Sequence, residues 1–353
     1  IFDSNFAITS NSGSSANLLA ISALIQSKML NPGDKVIVPV LAWSTTVFPL
    51  VQHGLIPVYV DISFGDFNLC KTAVEDCLRE HDIKAIMLIH TYGNPADMEF
   101  FVNLSNSRSI LLIEDTCESM GSEWDGKSLG SFGEIGTFSS YFSHHICTLE
   151  GGITVCKNRQ ISDLMRSIRS HGWIRGLNID LTKIENIDIF DPSFLFLNTG
   201  YNLRLSDPQA AMGCIQIKKL EKFIQSRESI ANRYIENILN SSLLEKNVKF
   251  PTVHKRARSS WFGFPILLPK VNKKLIPKIK TFLKDAEIET RPFLAGDFSK
   301  QPVNKKFPNI CFNSCPNVKL FNTNAFALPC HQDLTLDNVD KVCKTLEESV
   351  NLS

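Results

Sequence analysis

The segment Ser109–Ser119 reads SILLIEDTCES, an apolar run that ends in a carboxylate and then turns polar. Short and rich in Ile and Leu, the run has the pattern of a strand buried on both faces. Three runs of the same kind precede it: KVIVPV (Lys35–Val40), PVYVDI (Pro57–Ile62) and KAIMLIH (Lys84–His90). Helix-like stretches such as Ser15–Met29 and Lys71–His81 are interleaved with them. Alternation of strand and helix predicts an α/β fold, with right-handed crossovers and a mostly parallel sheet flanked by helices. Two further strands, GTFSSYF (Gly136–Phe142) and GITVCK (Gly152–Lys157), flank the loop HHICTLEGG.

From about Leu220 the pattern changes. A polar amphipathic helix runs to Leu244, a strand lies near WFGFPILLP, a Lys-rich helix covers 272–286, and a closing helix follows Leu336. This predicts a large domain over 1–220 and a smaller α+β domain over 221–353. Residues 174–200 read as a long irregular excursion. No internal repeat is visible.

The chain has 353 residues, enough for a substantial core; 43% are hydrophobic and 21% charged, as in an ordinary globular protein. A net charge of +1 gives no bulk attraction to nucleic acid or membrane. No run of about 18 apolar residues suggests a transmembrane helix. The N-terminus, IFDSNFAITSNSGSS, lacks the basic and apolar regions of a signal peptide and has no initiator Met, so the reading is a cytoplasmic protein missing an N-terminal segment. Ten cysteines are scattered without a C-x-C or C-x-x-C pair, which fits reduced thiols better than a zinc or redox motif.

Three stretches carry chemistry. SNSGSSANLLA (Ser10–Ala20) runs a Gly and Ser cluster into an amphipathic helix, where free N–H groups and the helix dipole favour phosphate. It precedes the first clear strand and matches neither dinucleotide nor P-loop spacing, so a Ser-capped helix explains it as well. Asp115 closes an apolar strand, where open α/β sheets gather ligands. It suits a pyridinium nitrogen, although a helix cap or ion pair accounts for it equally. GTFSSYFSHHICTLEGGITV holds a His pair and a Glu-Gly-Gly turn. Adjacent histidines on extended chain point to opposite faces, so a metal site is weak and a general acid/base role stronger.

In the order phosphate loop, strand-end Asp, His loop, the sequence resembles the DegT/DnrJ/EryC1/StrS family. The resemblance rests on SGSSAN, LAWSTTVFPLVQHGLIPVYVDI, EDTCESMGSEWDGKSLGSFGEIGTFS, EGG, GYNLRLSDPQAA and ETRPFLAGDFSKQP, and covers nearly the whole chain. It implies the fold-type I aspartate-aminotransferase architecture and a pyridoxal 5′-phosphate or pyridoxamine 5′-phosphate (PMP) cofactor. Gly13 and Ser14 would bind the cofactor phosphate, Trp43 would stack on the ring, Asp115 would pair with the ring nitrogen, and Ser139 would add a phosphate contact. Asn202 would reach the phosphate site of a neighbouring subunit, making the active unit a homodimer. Arg204, Arg291 and His331 are weaker candidates for binding substrate, and His145 reads as a structural neighbour of the base.

The departure from the family pattern decides the reaction. Where the aminotransferases carry the lysine that bonds the cofactor, five residues after Ser139, this chain has His144. Imidazole forms no stable imine, so the cofactor would be held noncovalently, most naturally as PMP. A His there, followed by a second His and an EGG turn, resembles the branch that deoxygenates GDP-4-keto-6-deoxymannose at C3. That implies a 3-dehydratase of a nucleotide-linked 4-keto-6-deoxy sugar, with His144 as general base and a glutamate-type cosubstrate restoring PMP. No C-x-C motif is present to imply the iron–sulfur cluster of related CDP-sugar enzymes. Two alternatives stand: an aminotransferase using another lysine, such as Lys127 or Lys157, and a noncatalytic relative that binds cofactor or sugar nucleotide.

Overall fold

A computed structural model describes residues 2–177, 179, 182, 184, 189 and 191–352. The chain runs β1 (Phe6–Ser10), α1 (Gly13–Gln26), β2 (Lys35–Pro39), α2 (Ser44–Gln52), β3 (Ile56–Val60), α3 (Lys71–Glu80), β4 (Ile83–Ile89), α4 (Met98–Arg108) and β5 (Leu111–Asp115). A small hairpin, β6 (Glu123–Trp124) and β7 (Lys127–Ser128), leads to β8 (Ile135–Ser139), β9 (Gly152–Cys156) and α5 (Arg159–Arg169). After the excursion come α6 (Asp207–Gln216), α7 (Leu220–Asn240), α8 (Ser242–Asn247), β10 (Ala257–Arg258), β11 (Phe264–Leu267) and α9 (Ile276–Asp285). The chain closes with β12 (Arg291–Pro292), β13 (Ile310–Cys311), α10 (Pro316–Asn324), β14 (Ala325–Leu328) and α11 (Leu336–Asn351). Part of the 174–200 excursion lies outside the described residues.

The main sheet has the order β1-β9-β8-β5-β4-β2-β3-β13. Its strands are parallel from β13 through β8, while β9 pairs antiparallel with both β8 and β1. Side chains alternate across it with period two. Val36, Val38, Tyr59, Ala85 and Met87 face the core shared with α1, α2 and α5. Ile37, Val58, Val60, Ile86 and Leu88 face the opposite core, with Val74 and Cys77 of α3 and Met98 and Phe101 of α4. Burial on both faces explains why these strands read as continuous apolar runs. Each fully buried Leu, Ile or Val contributes roughly 1.5–3 kcal/mol.

Two expectations change. The Ser10–Ala20 stretch follows a strand, because FAITS forms β1 and pairs with β9 from Phe6↔Cys156 to Ser10↔Gly152. A five-residue strand that fully buries only Ile8 and Ser10 carries too weak a pattern to announce itself. The strand expected over Gly136–Phe142 ends at Ser139, and the chain leaves the sheet there.

Beyond Leu220, α7, α8, α9 and α11 pack with the antiparallel sheet β11-β14-β12 around a second core that includes Tyr234, Phe264, Leu283, Phe326 and Leu346. The same stretch also returns to the main sheet. β13 pairs parallel with β3, and Phe293, Phe298, Val318 and Phe321 join the first core. Among the described residues no helix is long and apolar enough to cross a membrane.

Candidate active site

The carboxyl ends of the central strands open into a cavity of about 820 Å³, lined by Gly13, Ser14, Trp43, Asp115, Ser139 and His144 among others. Six positions singled out in the sequence therefore meet at one place, although they span 131 residues from Gly13 to His144 (144 − 13).

One wall is the start of α1. Ser12 caps the helix, its hydroxyl accepting from Ser15 N–H at 3.0 Å. Gly13 faces Ser139 so closely that an added Cβ would lie 2.7 Å from Ser139 Cβ and 3.1 Å from Cys117 Sγ. No other residue fits. The Glu-Gly-Gly turn meets the same helix start from behind: a Cβ on Gly152 would lie 2.1 Å from the Ser12 carbonyl oxygen. A helix of fourteen residues thus presents its N–H groups to the cavity across a floor with no side chain.

Asp115 is the second wall. It is buried, and its Oδ2 accepts from Asn17 Nδ2 at 2.9 Å and Thr46 Oγ1 at 2.7 Å, while Oδ1 accepts from Cys117 N–H at 3.2 Å. Among the described residues no cation pairs with it. A buried carboxylate held by neutral donors and facing a cavity is suited to a protonated ring nitrogen, which would supply the missing positive charge. Trp43, at the N-terminus of α2, is 58% exposed and borders the cavity. It is not a core tryptophan, and its ring is free to cover a planar ligand.

The residues present therefore fit a phosphorylated pyridine cofactor: a helix start closed by Gly13, a carboxylate without a cation, and an exposed indole. No lysine lines this cavity among the described residues. Lys127 lies over the Phe132 ring at 4.3 Å and is held below its ordinary proton affinity by burial and by Lys157 nearby. Neither lysine lines the cavity.

His144 sits in the loop after β8. Its ring packs at 4.9 Å from Phe262, and its Nδ1 is buried with no hydrogen-bond partner. Burial first, then the charges of Arg227 and Arg291, push its pKa down to about 4, so the imidazole is neutral near pH 7. His145 is fully buried, with Nε2 3.1 Å from the Ser260 carbonyl oxygen. Burial holds it well below the ordinary histidine range, so it is a neutral donor that anchors the loop.

A second cavity of about 650 Å³ adjoins the first and shares His144, Tyr92, Phe262 and Arg291 with it. Arg291 is exposed and lies 3.8 Å from Glu289. His331 lines only this second cavity and is held below the ordinary range, by burial first. Asn202 and Arg204 stand elsewhere. Both lie outside the His144 cavity; Arg204 Nε donates to Asn202 Oδ1 at 3.2 Å, and Asn202 bridges to Ser170.

Sequence reasoning missed Glu118 and Arg227. Glu118 lines the cavity and accepts from Tyr92 N–H at 3.1 Å; burial chiefly, with the charge of Asp115, lifts its pKa to about 8. Glu118 carried no signal of its own, lying three residues past Asp115 in an irregular turn. Arg227 carried no signal, because it sits inside the regular pattern of α7.

Over residues 2–347 the sequence matches the DegT/DnrJ/EryC1/StrS aminotransferase family. The GDP-4-keto-6-deoxy-D-mannose 3-dehydratase of Escherichia coli O55:H7 is 35% identical over 351 residues, covering 98% of this chain and 89% of that protein. A solved structure of the E. coli enzyme with bound hydrated PLP has a TM-score of 0.89 and 35% identity, covering 98% of this chain and 88% of that one. A structure of GDP-4-keto-6-deoxymannose-3-dehydratase with a trapped PLP–glutamate geminal diamine has a TM-score of 0.89 and 34% identity, with 98% and 89% covered. Agreement of sequence and fold along nearly the whole length leaves one assignment: the chain belongs to the DegT/DnrJ/EryC1/StrS aminotransferase family.

Proposed function

We propose that this chain is a PMP-dependent 3-dehydratase of a nucleotide-linked 4-keto-6-deoxy sugar, with His144 as its general base. The observation that carries the reading is a cavity lined by Gly13, Trp43 and Asp115 in which, among the described residues, a neutral histidine and no lysine stands. The similar E. coli dehydratase, whose solved structure has PLP bound, supports it.

Bound in its amine form, the cofactor supplies an amino group for the sugar ketone and a ring that takes up electrons. The protein's residues do the rest. The N–H groups at the start of α1, with Ser14 and Ser139, would hold the phosphate. Trp43 would cover the ring. Asn17 and Thr46 fix Asp115 so that its carboxylate keeps a proton on the ring nitrogen. His144 would hold on its imidazole the proton that the bound cofactor releases. The C3 hydroxyl of the sugar then leaves with its bonding pair and takes up that proton, departing as water. Imidazole does not compete for the cofactor aldehyde, so elimination is favoured over amino transfer.

An amino donor such as glutamate restores the amine form, and Arg291 offers a cation for its carboxylate. The similar structure with a trapped PLP–glutamate adduct supports a donor of this class. The active unit is a cytoplasmic homodimer in this reading. Asn202 lies outside its own cavity, and α6 buries none of its residues although Met212 and Ile215 are apolar. A second copy would cover them. All ten cysteines are free, as a reducing compartment requires.

The test is incubation with PMP, glutamate and a panel of 4-keto-6-deoxy sugar nucleotides, followed by mass spectrometry. Loss of the C3 oxygen is expected. Gain of an amino group at C4 would instead establish an aminotransferase, and no turnover across the panel would favour a noncatalytic binder.

A further inference from the structure

Arg227, on α7, is 3% exposed and forms no ion pair among the described residues. Its Nη1 donates to the carbonyl oxygens of Trp261 at 3.0 Å and Phe262 at 3.1 Å and to that of Cys330; Nη2 donates to Gln332 Oε1 at 3.2 Å. Nε has no partner. Burying a guanidinium without a carboxylate costs several kcal/mol, and an apolar side chain would pack in a helix at less expense. A cation kept at such a cost needs a reason beyond packing.

The carbonyls it grips belong to the segment behind the base. Trp261 takes a left-handed backbone, with φ of 47°, and Phe262 N–H donates to the Tyr92 carbonyl at 2.9 Å. Phe262 then places its ring 4.9 Å from His144 and 5.8 Å from His145, while the Ser260 carbonyl lies 3.1 Å from His145 Nε2. Both histidines rest on this segment.

We propose that Arg227 is a positioning residue for the dehydration: it locks the 260–262 segment against His144 and places a buried positive charge, with no carboxylate paired to it, behind that base. The inference rests on the reading of His144 as the base. The titratable and charged groups that share the two cavities with His144 are Asp115, Cys117, Glu118 and Tyr92 from the strand ends, Tyr141 and Glu150 from its own loop, with His145 beside it, Glu287, Glu289 and Arg291 before and in β12, and Cys330, His331, Asp333, Lys341 and Arg227 in the second cavity. Of these, Arg227 is the cation kept from solvent, so its field is screened least. It disfavours the imidazolium in two useful ways. At rest His144 stays neutral and able to accept a proton; after it has accepted one, the same field favours passing it to the departing hydroxyl.

The test uses the PMP-loaded protein and its cofactor-free form, as the R227Q and R227K variants. In R227Q the His144 titration midpoint, followed by NMR of the imidazole nitrogens in cofactor-free protein, is expected to rise by at least one pH unit. The acid limb of kcat/KM should rise with it, so that activity at about pH 4 to 5 falls several-fold further than in the parent while KM is little changed. R227K keeps the charge and should hold both midpoints near the parent values. A folded, cofactor-binding R227Q whose midpoints do not move would overturn the proposal. Should R227Q fail to fold, R227M takes its place in the titration: a midpoint raised by a full unit, with R227K unmoved, supports the proposal, and an unmoved R227M midpoint overturns it. Because the NMR readout needs no turnover, it stands apart from the base assignment, which fails separately if His144→Asn still turns over.

Discussion

An added Cβ on Gly13 would fall 2.7 Å from Ser139 Cβ, closer than side-chain carbons approach one another. The floor of the proposed phosphate site is thus set by two residues from distant parts of the chain. Gly13→Ala should push the start of α1 away from β8 and lower affinity for PMP by ~100-fold, read from absorbance titration. Unchanged circular dichroism would show that the fold survives; unchanged affinity would remove Gly13 from the phosphate site.

Asp115 depends on its neighbours. Thr46→Val removes one of two donors to Oδ2 and should slow dehydration by roughly tenfold, through a looser ring contact. Asp115→Asn no longer favours a protonated ring nitrogen and should lose at least ~100-fold in kcat. Equal losses in the two variants would mean that Thr46 acts on the ring itself.

With no lysine in the cavity among the described residues, borohydride should fail to fix PLP to the chain, as peptide mass spectrometry can establish. Covalent reduction onto any lysine would sink the dehydratase mechanism. His144→Asn should keep PMP affinity within a few-fold yet lose C4′ proton exchange; persistent exchange would assign the base elsewhere.

Glu118 makes stability depend on pH. Its carboxyl is lifted from 4.5 to about 8 by burial, so the folded protein keeps the proton while the unfolded chain releases it. Stability present below about pH 4.5 is therefore lost as pH climbs toward 8. Glu118→Gln has no proton to lose. In the cofactor-free protein it should gain on the order of 1–3 kcal/mol over the parent between pH 5 and pH 8, measured by urea unfolding. A gain that does not grow with pH would mean that Glu118 is ionised in the folded state.

The sheet was legible where burial on both faces writes continuous apolar runs, as in β2, β3, β4 and β5. β1 was not, because an edge strand of FAITS buries only part of itself and draws its stability from β9, some 145 residues on. Asp115 and Gly13 were readable because a strand end and a helix start are local events. Glu118 and Arg227 were not. Their character comes from what surrounds them, Tyr92 and Asp115 in one case and three carbonyls from two later segments in the other, and no spacing records that.

β13 has a consequence for any attempt to divide the protein. Drawn from beyond residue 300, it pairs with β3 and covers that strand's outer edge. Cutting the chain after Leu220 would leave the outer-edge N–H and C=O groups of β3 that β13 covers unpaired, beside a bared apolar face that Phe298 and Phe321 otherwise cover. Such a fragment offers a template to any extended chain it meets, and would come out of cells as inclusion bodies instead of a working half.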